Sequence, residues 1–203
     1  SGLGPSSPAN AQPRAWEAGR DYLRLEPPRS NSDGERIELL EFFYYGCPVC
    51  YEFQPFFTRY LFQASSLVTL RRVPALSNDT WEPFARLFYA LNMLGDAARL
   101  HWPVYDNYHF DGIKLNDPGV MLDWITRNGV DRQKFLNAYR SEQVQQDLLQ
   151  SRELMKLYNI SGVPSVAVDG RYLATARLAG GTRQLAQVIE ELVKRARELH
   201  PRR

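Results

Sequence analysis

The chain has 203 residues, of which 44% are hydrophobic and 12% aromatic, and this suffices for the core of one domain with or without an insertion. The formal net charge is only +2 and the basic residues form no stripe, so the sequence argues against nucleic-acid binding. No apolar stretch approaches the roughly 20 residues that a membrane-spanning helix needs.

The first segment, residues 1–16, is rich in Ser, Gly, Pro and Ala and predicts a flexible leader. Ala9-Asn10-Ala11 resembles the small-x-small site at which export signals are cleaved, although no apolar segment precedes it. Two interpretations therefore stay open, namely the remnant of a processed export signal and a tether.

The next part of the chain predicts a strand, a helix and a second strand. Residues 37–43 form an apolar run of strand character, which ends at the turn 44–46. Pro48 favours the first position of a helix, because its missing N–H would have no partner there, and we predict this helix over 48–61. Residues 67–73 predict the second strand.

Helical patterns then replace the strand patterns. Apolar residues at helical spacing predict helices over 81–94 and 118–128. Asp131 and Ser141 are suitable N-caps for two further helices, the second of which runs to about residue 158. We interpret the aromatic stretch 101–110 as a loop without chemistry of its own.

Strand patterns return near the end of the chain. Residues 165–169 predict a strand, the turn Asp169-Gly170 predicts a hairpin, and 171–174 would form its return strand. A final amphipathic helix opens at Thr182. The order of elements predicts an α/β core interrupted by a helical insertion.

The two cysteines of the chain, Cys47 and Cys50, stand three positions apart. A disulfide between them would close too short a loop to add much stability, so the pair indicates chemistry. Cys47 precedes a predicted helix, whose N-terminal N–H groups and dipole stabilise a thiolate, whereas Cys50 lies one turn further in. Cys47 would therefore be the attacking sulfur and Cys50 the resolving thiol.

A structural zinc site and a pair of inert buried thiols are the alternatives to redox chemistry. Zinc needs two further ligands, but no other cysteine exists, and His101, His109 and His200 lack the usual ligand spacing. We expect neither a metal nor a cofactor. Far downstream, Val163-Pro164 precedes a strand; the sequence alone favours an ordinary trans proline there over a cis bond.

Two segments, Glu-Phe-Phe-Tyr-Tyr-Gly-Cys-Pro-Val-Cys-Tyr-Glu-Phe at 41–53 and Gly-Val-Pro-Ser-Val-Ala-Val-Asp-Gly at 162–170, resemble the DsbA family of periplasmic thiol:disulfide oxidoreductases. The similarity covers nearly the whole chain from about residue 17. It implies a thioredoxin fold, of class α/β, with an inserted all-helical subdomain. The thioredoxin-like domain would comprise 17–75 and 158–203, and the inserted domain 76–157.

The resemblance also implies roles for individual residues. Pro164 would be cis and lie against the two sulfurs, and Val163 would offer backbone groups to an extended substrate segment. Glu41 matches a buried acid that could help to move the proton of Cys50; the alternative is a polar residue at a strand edge. Pro48 and Val49 complete the motif.

Partners and location follow from the same resemblance. The substrates would be reduced exported proteins, a membrane quinone-linked oxidase of the DsbB type would reoxidise the pair, and the location would be the periplasm. We expect a monomer that binds no nucleic acid. The alternatives are a thiol reductase or isomerase, a redox partner of narrow specificity, and a chaperone-like binding module with non-essential cysteines.

Two positions depart from the family pattern. Strongly oxidising members carry histidine where Val49 stands, so we predict a weaker oxidant. Members often carry a lysine near the buried acid, on the strand that here reads Arg71-Arg72, and two alternatives stay open: one arginine substitutes for it, or the pair is absent. Four aromatic residues near the motif would contribute either apolar surface or core: Tyr44, Tyr45, Trp81 and Phe84.

Overall fold

A mixed β-sheet forms the centre of the protein in the computed structural model, which describes residues 14–29 and 35–200. Its strands are β1 (Leu23–Arg24), β2 (Ile37–Phe43), β3 (Val68–Pro74), β4 (Ser165–Val168) and β5 (Tyr172–Thr175). In space the order is β1-β5-β4-β2-β3, with β2 and β3 parallel and the other neighbours antiparallel. Most of the predicted leader, residues 1–13, lies outside the described residues.

Helices cover the sheet and fill the segment between β3 and β4. They are α1 (Pro48–Gln63), α2 (Glu82–Met93), α3 (Ala97–His109), α4 (Pro118–Arg127), α5 (Arg132–Tyr139), α6 (Glu142–Leu157), α7 (Ala176–Ala179) and α8 (Thr182–Leu199). A short 3₁₀ turn, Asp79–Trp81, precedes α2. The α/β core with a helical insertion is thus confirmed, while the division at residues 76 and 158 stays a prediction.

Local signals in the sequence explain several of these boundaries. The side chain of Asp131 accepts a hydrogen bond from the N–H of Lys134, and that of Ser141 accepts one from Val144, so both predicted N-caps are confirmed. Asp169 and Gly170 have φ values of 54° and 59°, as a tight hairpin turn between β4 and β5 requires.

The prediction of a loop over 101–110 is wrong, because residues 101–109 belong to α3 and Phe110 is its C-cap. Pro103 and the histidines weaken the helical pattern in the sequence, yet buried side chains recur at three- and four-residue spacing. These side chains are Ala97, Leu100, His101, Val104 and Tyr105. Their burial against α1, α2 and Phe43 overrides the weak local preference, since tertiary packing stabilises most helices.

The hydrophobic core lies in several clusters, one of which contains Cys50. Residues of α1 and α8 pack with one face of the sheet, and residues at the end of α6 pack with the other. A third cluster joins Phe43 at the end of β2, Cys50 of α1 and the buried faces of α2 to α6. The motif therefore lies where the sheet meets the helical insertion.

Candidate active site

Cys47 is the N-cap residue of α1, and Pro48 occupies the first turn as predicted. The Cys47 sulfur accepts a hydrogen bond from the backbone N–H of Cys50 at 3.3 Å. Hydrogen bonds from Cys50 and from the N–H of Val49 lower the pKa of Cys47 to about 7, although burial acts in the opposite direction. Cys47 is partly exposed, so a sulfur that is readily ionised is also accessible to another thiol or disulfide.

Cys50 differs from Cys47 in its burial and in the direction in which its pKa is shifted. It is fully buried in the core cluster between the sheet and the insertion. Burial raises the pKa of Cys50 well above its ordinary value, and the neighbouring Cys47 raises it further. Both cysteines are free thiols in this structure. The pair therefore combines one nucleophilic sulfur with one that stays protonated.

Alkylation should reveal this difference in the dithiol protein. We expect iodoacetamide to modify Cys47 at pH 7 about 100-fold faster than Cys50, with a midpoint near pH 7, because the thiolate is the reactive form. The measurement is a pH series from 5 to 9 with mass mapping of the labelled peptide. The unfolded protein is the control, in which both thiols should react alike; equal rates in the native protein would contradict the assignment.

The loop before β4 supplies the opposite wall of the site. The Val163-Pro164 peptide bond is cis, so the trans proline favoured by the sequence alone is wrong, and the cis bond implied by the resemblance is found. The carbonyl oxygen of Val163 lies 3.8 Å from the Cys47 sulfur, and Pro164 is buried. The chain thus brings together two segments that are more than 100 residues apart.

Glu41 lies in the central part of the sheet, so the interpretation as a strand-edge residue is wrong. Its side chain is fully buried. One carboxylate oxygen accepts a hydrogen bond from Gln54 at 2.7 Å and the other accepts one from Arg72 at 2.9 Å. Arg72, which directly opposes Glu41 in the pairing of β2 and β3, is therefore the arginine that takes the place of the expected lysine.

The aromatic residues near the motif divide into core and surface. Tyr45 and Phe84 are buried, whereas Tyr44 and Trp81 are partly exposed and stack with ring centres 3.9 Å apart. A Cβ atom on Gly46 would come within 2.4 Å of the Tyr44 ring, so glycine allows this ring to fold back beside the motif. Val49 is 41% exposed, and its apolar side chain offers the sulfurs no hydrogen bond, so only its backbone N–H contributes to the site.

Sequence reasoning missed the polar residues that α3 places in the cluster with Cys50. A hydrogen bond of 2.8 Å joins Nδ1 of His101 to the Tyr45 hydroxyl. The ring of Tyr105 lies edge-on to the rings of these two residues. All three residues are buried. The helical spacing of His101 and Tyr105 with Leu100 and Val104 was the signal that could have placed them in the core.

The chain is similar to known proteins in both sequence and fold. The family model of a DSBA-like thioredoxin domain matches residues 68–192. A thiol:disulfide interchange protein DsbA from Burkholderia cepacia is 34% identical over 191 residues, which cover 94% of this chain and 90% of that protein. The protein of the same name from Azotobacter vinelandii is also 34% identical, over 91% of this chain and 86% of its own length.

The chain belongs to the DsbA family. Its fold agrees with this membership: the crystal structure of Pseudomonas aeruginosa DsbA matches 91% of this chain and 96% of its own, with a TM-score of 0.82 and 30% identity. An oxidoreductase DsbA from Xylella fastidiosa gives a TM-score of 0.81 at 25% identity, over 90% of this chain and 98% of its own. The fold is thus the thioredoxin fold with an inserted all-helical subdomain, and the protein is a thiol:disulfide oxidoreductase.

Two further findings concern the described part of the chain. Within residues 14–29 and 35–200, no helix is long and apolar enough to cross a membrane. The same residues include no group of three or more His, Cys, Asp or Glu side chains that could hold a metal ion.

Proposed function

We propose that the protein donates a disulfide between Cys47 and Cys50 to reduced proteins. The observation that carries this proposal is the contrast between the two thiols: Cys47 caps α1 with a pKa of about 7, and the pKa of buried Cys50 is raised. A sulfur that is stable as a thiolate is a good leaving group. A disulfide that contains it therefore transfers readily to a substrate.

The reaction takes place in two exchanges. A substrate thiolate attacks the Cys47 sulfur, the Cys47–Cys50 bond breaks, and Cys50 leaves as a thiolate and takes up a proton. A second substrate thiolate then attacks the substrate sulfur of the mixed disulfide, and Cys47 leaves as a thiolate. The substrate loses two electrons and the protein gains them. Glu41, which is buried on the sheet, would help to move the proton of Cys50.

The surroundings of Cys47 favour an extended polypeptide as the substrate. The carbonyl of Val163 faces the Cys47 sulfur, and beside cis-Pro164 it could accept a hydrogen bond from the backbone of a segment laid along the loop. Disulfides persist in oxidising compartments, which makes reduced exported proteins in the periplasm the proposed substrates. A quinone-linked membrane oxidase of the DsbB type would restore the disulfide.

Oxidative refolding of a reduced protein that contains several cysteines tests the proposal. The oxidised protein should form disulfides in this substrate stoichiometrically, as measured by loss of free thiols and recovery of native activity. Insulin reduction in the presence of dithiothreitol would identify a reductase instead. Turnover in neither assay, with Cys47 unreactive towards alkylation, would contradict the proposal and favour a binding module.

The residue between Pro48 and Cys50 should set the oxidising strength. We expect Val49→His to shift the equilibrium with glutathione about tenfold towards the dithiol protein, because a protonated imidazole would stabilise the Cys47 thiolate. The measurement is redox equilibration in glutathione buffers, with Val49→Leu as the control that adds no donor. A wild-type potential as oxidising as that of Val49→His would contradict the effect assigned to valine.

A further inference from the structure

A histidine of α3 contacts the turn that precedes the motif. The N–H of Cys47 donates a hydrogen bond of 3.0 Å to the carbonyl oxygen of Tyr44, which closes a four-residue turn. Tyr45 and Gly46 are the two central residues of this turn. Nε2 of His109 lies 2.6 Å from the carbonyl oxygen of Tyr45. The helical insertion thus reaches the backbone two residues before the attacking sulfur.

The partner of this histidine determines which of its nitrogens carries a proton. A carbonyl oxygen accepts hydrogen bonds but cannot donate one, so Nε2 of His109 is the donor. The imidazole ring stacks on the ring of Tyr51, with centres 5.0 Å apart, and lies edge-on to Tyr108 at 4.9 Å. Tyr51 itself donates a hydrogen bond of 2.7 Å to Asp106. The donor is therefore held against the carbonyl by aromatic rings that are themselves fixed.

Gly46 makes two conformations of this turn accessible. A type II turn requires a left-handed φ at its third residue, which glycine adopts without steric cost, whereas a type I turn has a negative φ there. The two types differ by a rotation of the central peptide, which reverses the direction of the second residue's carbonyl. Gly46 is not in the left-handed region, so the type II form is not the one present. His109 binds the carbonyl whose direction distinguishes the two forms.

The side chain of Tyr45 is held by the same helix. Its hydroxyl is hydrogen-bonded at 2.8 Å to Nδ1 of His101, and both residues are buried. Residues eight positions apart lie on one broad face of a helix, so His101 and His109 approach Tyr45 from the same side of α3. Rotation of the central peptide would leave the side chain of Tyr45 in place and withdraw its carbonyl from His109.

We propose that His109 is a positioning residue for the attacking cysteine, because its Nε2–H holds the Tyr45 carbonyl and thereby fixes the turn that presents the Cys47 sulfur. This inference rests on the proposed exchange through Cys47 and adds to it a residue of the helical insertion. The sulfur lies 3.3 Å from the N–H of Cys50 and 3.8 Å from the carbonyl oxygen of Val163, so a change in the turn displaces it from both. Without the donor, the fraction of molecules in the competent conformation falls, and the exchange slows by the same factor.

Three variants separate the donor of His109 from its ring. His109→Gln keeps a donor, since Nε2 of glutamine is as many bonds from the backbone as Nε2 of histidine, but it loses the stack on Tyr51. His109→Phe keeps a ring and has no donor. His109→Leu has neither and is smaller, so it shows whether the bulk of phenylalanine itself disturbs the turn.

Asn107→Leu is the matched control on the same helix. The side chain of Asn107 accepts a hydrogen bond of 2.7 Å from the indole of Trp124 and donates one of 2.6 Å to Asp111. The substitution therefore removes polar contacts of α3 that do not involve the turn before Cys47. It should lower the melting temperature by a few degrees and leave the exchange unchanged.

The exchange rate is measured by mixing each oxidised protein with glutathione, quenching with acid and following the Cys47 adduct by mass. We expect His109→Leu and His109→Phe to react about fourfold more slowly than wild type, because glycine favours the rotated turn once the donor is lost. His109→Gln and Asn107→Leu should react within about 1.5-fold of wild type. A His109→Leu rate within about twofold of wild type, or an equal slowing in His109→Gln, would overturn the inference.

The conformation of the turn gives a readout that loss of packing alone would not move. In a type I turn the amide protons of the two central residues are close together, whereas in a type II turn the Hα of the first lies close to the amide proton of the second. Nuclear Overhauser effects between Tyr45 and Gly46 should therefore be of the first kind in wild type and His109→Gln. The second kind should appear in His109→Leu. The same pattern in all three proteins would overturn the inference.

The reaction with glutathione also separates this inference from the proposed function. If wild type reacted as slowly as Cys47→Ser, exchange through Cys47 would be wrong, and the inference would fall with it. If Cys47→Ser lost the reaction and His109→Leu kept the wild-type rate, the exchange would stand and the role of His109 would be wrong.

Discussion

Cys47→Ser should lower disulfide transfer to a reduced protein by about a thousandfold or more, because it removes the sulfur that the substrate attacks. The substitution leaves the N-cap intact, since a serine hydroxyl accepts the N–H of Cys50 as the sulfur does. Stability should therefore change little. The measurement is the rate of disulfide formation in the substrate, together with the urea midpoint of the variant.

Cys50→Ser should also lose disulfide transfer, but at a different step of the exchange. This variant retains the accessible thiol of Cys47, so it should accumulate stable mixed disulfides with substrates, which are visible on non-reducing gels. Cys50→Ala should in addition raise the pKa of Cys47 above about 7, because hydrogen bonding from Cys50 is the main influence that lowers it. Mixed disulfides on Cys50 in the Cys47→Ser variant would reverse the assignment of the two roles.

The roles of the two sulfurs could be predicted from sequence because they depend on local structure. An apolar run, a turn and Pro48 suffice to place Cys47 at a helix N-terminus, and β2 and the start of α1 were predicted at the residues where they occur. The hairpin at Asp169-Gly170 was predictable for the same reason, since tight turns depend on the conformations of two residues.

The features of the site that could not be predicted from sequence depend on contacts between distant segments of the chain. The partner of Glu41 follows from the register of β2 against β3, which sequence spacing does not determine. The cis bond before Pro164 depends on how this loop packs against the motif, and local preference favours trans. The sequence did not reveal His101 and Tyr105, because Pro103 and the polar side chains obscure the helical pattern of α3. Packing against α1, α2 and Phe43 nevertheless stabilises this helix.

Arg72→Met should destabilise the protein by about 3 kcal/mol, as measured by urea unfolding of the dithiol form. The reason is that Glu41, which is fully buried, would lose the guanidinium that bonds to one of its oxygens at 2.9 Å. The expected loss lies at the lower end of the usual range for breaking a buried ion pair, because the Arg72 side chain is 21% exposed and water can reach part of the site.

Arg71→Met is the matched control for the stability that Arg72→Met is expected to lose. Arg71 is adjacent on β3, is exposed, and bonds to Gln150 on the surface, so its replacement should change stability by less than about 0.5 kcal/mol. Equal losses in the two variants would mean that β3 itself is sensitive to methionine and that the buried pair contributes little.

The double variant Glu41→Leu with Arg72→Met separates the structural role of the pair from its role in the exchange. It removes the unpaired buried charge, so most of the stability lost in Arg72→Met should return. If Glu41 also helps to move the proton of Cys50, the double variant should still transfer disulfides at least about tenfold more slowly than wild type. Alkylation of Cys47 should stay unchanged, because its hydrogen bonds come from Val49 and Cys50. A stable double variant with the wild-type transfer rate would assign Glu41 to the fold alone.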